Sequence, residues 1–293
     1  MTKRRISESA NQRISESANR RIGESANRRI GESANRQIGK SANRPTLAAV
    51  ILTLNEEHNI EDCLASLAWA DRRVVFDCFS TDRTVELARQ SGAEVIQHPF
   101  ENYAQQRNAA LERVGADWIF FVDADERATP ELAAEVRAVT AGDREVVAWW
   151  VPRHNYIFGR LTLGGGWYPD YQLRLVRQGH AHWERPVHEI AIVDGPEGYL
   201  QNPLIHYNYT DLADFIARQE KYTNCDARIL SQQGVRPRLY TPYTQAVRHF
   251  WWRFVTLRGL RDGLHGLWLS LLMAYYEMEK YRRVARLWRA ADR

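Results

Sequence analysis

Between residues 48 and 123 the sequence alternates short, nearly continuous apolar runs with segments of helical periodicity, and that alternation leaves few folds open. Residues 48–54 read as a strand buried on both faces, which needs no polar alternation. The stretch Asn55-Glu-Glu-His-Asn59 then opens a helix carrying Ile60, Leu64 and Leu67 at helical spacing. A second strand over 73–76 stops on Asp77, and Ser80-Thr-Asp82-Arg-Thr84 supplies N-cap chemistry for a second helix. A short strand over 94–97, a helix over 104–114 and a strand over 117–122 complete the series. Strands alternating with helices predict an α/β fold with a mostly parallel, doubly wound sheet.

The fourth run, Trp118-Ile-Phe-Phe-Val122, ends on Asp123-Ala-Asp125. Ligands of open α/β sheets bind beyond the carboxyl ends of the strands, where these two acids are expected. Strand alternation predicts both side chains on one face. Two ionised carboxylates that close repel unless a cation lies between them. A hard, all-oxygen pair suits Mg²⁺ or Mn²⁺ shared with a substrate phosphate. The competing reading makes Asp-Ala-Asp-Glu a turn before a helix starting near Pro130.

Charge is divided along the chain. Residues 1–44 hold eleven Lys/Arg against four Glu, a net of +7, and residues 248–293 hold ten against four, a net of +6. Residues 45–247 carry nineteen basic and twenty-eight acidic side chains, a net of −9. An acidic body argues against nucleic acid, whose phosphates need Lys/Arg. Basic ends beside aromatic residues suit the anionic cytoplasmic face of a membrane. Cys63, Cys78 and Cys225 form no CxxC pair and fit reduced cytosolic thiols. The N-terminus lacks the apolar core of a signal peptide.

Residues 5–44 are five octapeptides, from RISESANQ to QIGKSANR. Eight helical steps rotate each successive isoleucine by roughly 80°, so Ile6, Ile14, Ile22, Ile30 and Ile38 form no stripe. A disordered basic tail over 1–44 is therefore expected. At the other end, residues 211–231 and 245–290 read as helical, with Phe250, Phe254 and Leu257 on one face. Their longest apolar run is about thirteen residues, below the roughly twenty of a membrane span. They are expected either to pack on the catalytic body or to rest on a membrane surface.

The blocks TLNEEHNI, VVFDCFSTDRT, YAQQRNAAL and WIFFVDADE, in that order, resemble the inverting family-2 glycosyltransferases of GT-A fold. With GGWYPDYQLRLVR and ERPVHEI downstream, residues 47–290 look most similar to the lipopolysaccharide-core β-glucosyltransferase-like subgroup. The resemblance implies a GT-A catalytic domain over 45–210, with a nucleotide-sugar half near 45–126, an acceptor half near 145–210 and a helical segment over 211–293. It implies a UDP-sugar donor, a glycan or lipid-linked cell-envelope acceptor, and a divalent cation. Asn55 and Glu56 would line the nucleotide pocket and Asp77 would accept from uracil. Asp123 would face ribose or metal, and Asp125 would bind the metal, with His206 as a further ligand. Arg107 either neutralises pyrophosphate or is a surface residue. Gly165 and Gly166 either let backbone approach the donor sugar or belong to an ordinary loop. Trp167, Tyr168 and His188 would meet the acceptor. Glu189 is the expected base, with Asp170 second. Glu189 could instead be held in a salt bridge by Arg174 or Arg185. Arg83 and Phe79 depart from the smaller residues usual in the family and crowd the pocket mouth.

Two other classes compete. A phosphatase of the haloacid-dehalogenase type also writes DxD after an apolar strand. Arg127 stands where that motif carries Thr or Val, and Asp77 would be left without a role. A non-catalytic sugar-binding protein of the same fold is the third reading, against which the intact Asp123, Asp125 and Glu189 speak.

Overall fold

The computed structural model describes residues 44–142, 145–185 and 189–291. The octapeptides lie outside them save for Arg44, as does His188. The four expected strands form: β1 (Leu47–Thr53), β2 (Arg72–Asp77), β3 (Glu94–Gln97) and β4 (Trp118–Asp123). All their pairings are parallel, and the register sets Thr53 beside Asp77 and Leu52 beside Asp123. That register brings the carboxyl ends of β1, β2 and β4 level, which makes one polar edge out of three separate sequence blocks.

Downstream come β5 (Glu126–Ala128), β6 (Ala148–Val151), β7 (Arg153–Ile157), β8 (Arg160–Thr162), β9 (Gln172–Arg177), β10 (Ala181–Glu184), β11 (Ile190–Val193), β12 (Glu197–Tyr199) and β13 (Leu204–Tyr209). The main sheet has the order β12-β6-β9-β4-β1-β2-β3. Only β9 runs antiparallel to its neighbours β4 and β6. A second sheet, β5-β13-β7-β8, sits at the exit of β4 and sets His206 opposite both Glu126 and Asn155.

Helices cover both faces of the main sheet. Leu47, Ala49 and Ile51 pack on α1 (Ile60–Ser66), α2 (Thr84–Gln90) and, through Leu132 and Val136, on a later helix. Ala48, Val50 and Phe76 face α3 (Tyr103–Arg113) and the β10–β11 hairpin through Trp183. Each such buried Leu, Ile, Val or Phe contributes about 1.5–3 kcal/mol. Asn102 caps α3 by accepting from Gln105 N–H, and Thr129 caps α4 (Pro130–Ala141) by accepting from Leu132 N–H, with Pro130 at its start.

The C-terminal segment forms α5 (Leu212–Gln232), α6 (Thr241–Trp251) and α7 (Gly263–Ala291). The continuous helix expected over 245–290 is broken. A π turn at Trp252–Thr256 and a 3₁₀ turn at Gly259–Asp262 separate α6 from α7, with Arg258 left-handed at φ 56° between them. The break lets Gly259 and Gly266 meet, since a Cβ on Gly266 would overlap the Gly259 carbonyl oxygen. Phe250 and Phe254 stack on each other at 5.4 Å. Phe215, Leu269 and Tyr276 pack with Ile157 and Tyr209, so α5 and α7 share a core with the second sheet. Among the described residues no helix is long and apolar enough to cross a membrane.

Candidate active site

The loops leaving β1 and β2 are stitched together. Asn55, left-handed at φ 58° as asparagine tolerates, donates its N–H to Ser80 Oγ (2.8 Å) and accepts from Thr81 N–H (2.8 Å). Glu56 N–H donates to Thr84 Oγ1 at 2.7 Å, and its carboxylate accepts from the Asn59 amide at 2.8 Å. Burial pushes the Glu56 carboxyl up; the Asn59 amide opposes the shift and the Asp125 charge adds to it. Phe79 is exposed, and Arg83 Nε lies 3.4 Å from the Glu86 carboxylate.

Asp77 is fully buried at the end of β2. It accepts from Thr53 Oγ1 (3.1 Å), Ser80 N–H (2.9 Å), Ser80 Oγ and the Gln97 amide (3.1 Å). Four donors match the capacity of a carboxylate.

Asp123 and Asp125 take different surroundings. β4 ends at Asp123 and a turn follows, so strand alternation does not extend to Asp125. Asp123 is clasped by both terminal nitrogens of Arg174, one at 3.1 Å, and lies 3.8 Å from Arg107. Burial pushes the Asp123 carboxyl up, but Arg174 and then Arg107 outweigh it and hold the group well below the usual carboxylate range. The cations expected to relieve carboxylate repulsion are therefore supplied to Asp123 by arginines.

Arg174 is buried in β9 and reaches Glu126 as well, at 2.5 Å. Glu126 has no exposed side chain and also accepts from Arg153 (3.2 Å) and from Asp123 N–H (2.9 Å). Arg153 in turn grips Asp170 at 2.9 Å through Nε. Five charges of alternating sign, Asp123–Arg174–Glu126–Arg153–Asp170, thus run under the strand edge. Asp170 also accepts from Asn155 (3.2 Å) and Gln172 (2.9 Å). Burial raises its pKa, yet Arg153 overrides this and the shift is downward.

Asp125 faces His206, with Oδ2 3.4 Å from Nε2. The Asn155 amide nitrogen donates to the Trp167 carbonyl (2.7 Å), so its oxygen is the atom 2.7 Å from His206 Nδ1. That orientation makes Nδ1 a protonated nitrogen, so in the neutral ring Nε2 turns a lone pair to the Asp125 carboxylate. Two acceptors meeting in this way call for a cation between them. Among the described residues no three His, Cys, Asp or Glu side chains form a ready cage. A carboxylate and an oriented imidazole do fit Mg²⁺ or Mn²⁺ of the kind completed by substrate phosphate and water.

Arg107 is no surface residue. It lies on α3 beneath the rings of Phe121 (5.4 Å) and Trp183 (5.7 Å), between Asp123 and Glu189. Its Nη1 is buried without a hydrogen-bond partner. Burial and the charge of Arg174 lower its pKa. Glu189 has Oε1 3.9 Å from Arg107 Nε. Of the two partners suggested for it, Arg174 or Arg185, the first belongs instead to Asp123 and Glu126.

The glycines of the 164–166 loop are held by packing. Gly165 N–H donates to the Leu257 carbonyl (2.8 Å), Gly164 N–H to Asp262 (2.7 Å), and Arg253 to the Gly165 carbonyl (2.7 Å). Gly165 and Gly166 are left-handed, at φ 63° and 83°. Trp167 lies under Arg253 at 5.1 Å, and Tyr168 leans on His154. A Cβ on Gly164 would overlap the Arg258 carbonyl oxygen, whereas one on Gly115 meets nothing. Gly164→Ala is expected to lower folding stability by about 1–3 kcal/mol through overpacking. Gly115→Ala serves as the neutral control in urea unfolding.

Sequence reasoning did not single out Glu126, Arg153, Asn155 or Gln97, and met Arg174 only as a rival partner for Glu189. Arg174 carried a signal, because a lone arginine interrupts the apolar run Leu173–Val176 in a strand between two others.

The profile of Glycosyl transferase family 2 matches residues 48–193, the span that holds β1 to β11 and the edge just described. That span is a Glycosyl transferase family 2 domain, and the chain is a glycosyltransferase. The phosphatase and non-catalytic readings are accordingly set aside. It is similar to the lipopolysaccharide core biosynthesis glycosyltransferase LpsC of Rhizobium meliloti (strain 1021), 29% identical over 82% of this chain and 94% of that protein. An uncharacterized glycosyltransferase of Rickettsia bellii (strain RML369-C) is 26% identical over 82% and 85%. Among solved structures, the mannosyltransferase PcManGT from Pyrobaculum calidifontis, in complex with GDP-Man and Mn²⁺, is 14% identical over 83% of this chain and 87% of that one, with a TM-score of 0.49.

Proposed function

We propose that this glycosyltransferase moves a hexose, with inversion, from a uridine diphosphate sugar to a hydroxyl of a cell-envelope glycan or lipid-linked acceptor. The observation that carries the reading is the Asp125–His206 pair, two acceptors facing each other at the level edge of β1, β2 and β4. These two residues would hold Mg²⁺ or Mn²⁺, which when bound offsets the charge of a leaving diphosphate. Arg107, whose Nη1 has no partner, would add a second positive charge there. Gln97 would yield its place on Asp77 to the N–H of uracil, one donor replacing another. Asn55 and Glu56 would form the pocket wall. Glu189 takes the proton of the acceptor hydroxyl as that oxygen attacks the anomeric carbon from the side opposite the nucleotide. Trp167 and Tyr168 would flank the acceptor.

Similarity to LpsC supports an envelope acceptor, and a lipid-linked one suits peripheral contact of α6 and α7 with the cytoplasmic membrane face. Hydrolysis of a panel of UDP-, GDP- and dTDP-hexoses, with Mn²⁺ or with a chelator, tests the donor and the metal together. UDP-sugars should turn over fastest and the chelator should stop turnover; full activity in the chelator would refute the metal assignment. Asn155→Ala, which frees the His206 ring, is expected to raise the Mn²⁺ concentration for half-activity about 10- to 100-fold.

A further inference from the structure

A cavity of about 510 Å³ opens between the α5–α6 connection and the last turns of α7. Five arginines line it: Arg236, Arg238, Arg282, Arg286 and Arg289. Among the described residues the carboxylate paired with them is Glu279, which Arg282 contacts at 2.8 Å and Arg286 at 3.7 Å. Arg236 lies on the Trp288 ring at 4.1 Å, and Arg238 bonds the Tyr240 hydroxyl at 2.8 Å. Among the described residues four positive charges are left in excess. Guanidinium forks match phosphate oxygens in pairs, and the volume suits a phosphate-bearing head group.

The cavity continues an apolar face. On α7, exposed Leu264, Trp268, Leu271 and Tyr275 fall within about 60° of one another at 3.6 residues per turn. Arg282, Arg286 and Arg289 fall in the same sector of the same helix. On α6, exposed Tyr243, Val247 and Trp251 form a second stripe. Tyr243 also lines the cavity and lies 5.5 Å from the Arg282 guanidinium, so the two stripes meet there. Phe250 and Phe254 do share a face, where they stack on each other and are half-buried, apart from the exposed stripe.

We propose that α6 and α7 rest on an anionic lipid bilayer, with these tryptophans and tyrosines at the interface and a lipid phosphate in the five-arginine cavity. The inference rests on the peripheral-membrane reading above and deepens it. Charge complementarity selects the occupant: an apolar stripe ending in a cluster of five arginines around one carboxylate matches hydrocarbon bordered by phosphate.

Flotation of the full chain with vesicles of phosphatidylcholine, alone or mixed with phosphatidylglycerol, tests it. Binding should require the anionic lipid. R286Q/R289Q should weaken binding about 25-fold, since each arginine near an anionic surface counts about fivefold. W251A/W268A should weaken it too, and circular dichroism melting checks that both variants fold. Binding to no vesicle would overturn the membrane reading itself. Anionic binding unchanged in both variants would overturn this face alone and transfer the role to the basic residues 1–44. Two other outcomes also overturn the proposal. One is a melting shift with inorganic phosphate, abolished by R286Q/R289Q, without vesicle binding. The other is a sedimenting dimer that W251A/W268A splits.

Discussion

Replacing Glu189 with glutamine should lower transfer by about 10²–10⁴-fold while donor affinity stays near that of the parent, because a positioned general base contributes that much. The choice of Glu189 over Asp170 is a matter of which carboxylate is free. Asp170 is bound by Arg153, Asn155 and Gln172, and its proton affinity is lowered. A carboxylate so engaged is a weak base and a strong brace. Glu189 has one cation at 3.9 Å and about a quarter of its side chain exposed, so an acceptor hydroxyl can reach it. Asp170→Asn should therefore act on folding and, through Asn155, on metal affinity, with the proton-transfer step left in place. Transfer should fall in E189Q and persist in D170N. The reverse pattern, with E189Q transferring like the parent, would move the base to Asp170.

The sequence carried the sheet further than the site. Apolar runs ending on Asp77 and Asp123 report strands and their ends, because burial on two faces forces continuous hydrophobicity. Parallel pairing then levels those ends without further information. Side-chain partners are another matter, since they depend on residues distant in sequence. Asp123 meets Arg174 across β9, fifty-one positions on, and no local pattern encodes that distance. The turn after Asp123 is equally hidden, because Asp-Ala-Asp reads alike in a strand or a bend. His206 was legible as a candidate, but its usable nitrogen follows from Asn155, whose amide is fixed by Trp167 and Asp170. The glycine triplet was ambiguous for the same reason: what it touches, Leu257 to Asp262, lies about a hundred residues away.

Arg174→Met should destabilise the fold by about 3–5 kcal/mol, the cost of leaving a buried partner unpaired. Glu126 makes the loss large, for it has no exposed surface and would keep only Arg153 and one backbone N–H. In the double variant R174M/E126Q the orphaned charge is gone, so the two losses should add to less than their sum in urea unfolding. Strict additivity would mean that the two side chains do not act as a pair. Asp123 gives the same network a pH signature. Its native pKa is depressed, so its stabilisation is complete above the ordinary carboxylate pKa of about 3.9 and is lost as pH falls from there toward the native value. In R174M that depression shrinks to what Arg107, at 3.8 Å, and the more distant Arg153 provide. The parent should therefore lose stability with acid more steeply than R174M, and the gap between them should narrow below about pH 4. A gap that stays constant down to pH 2 would show that Arg174 stabilises the fold by packing and not through Asp123.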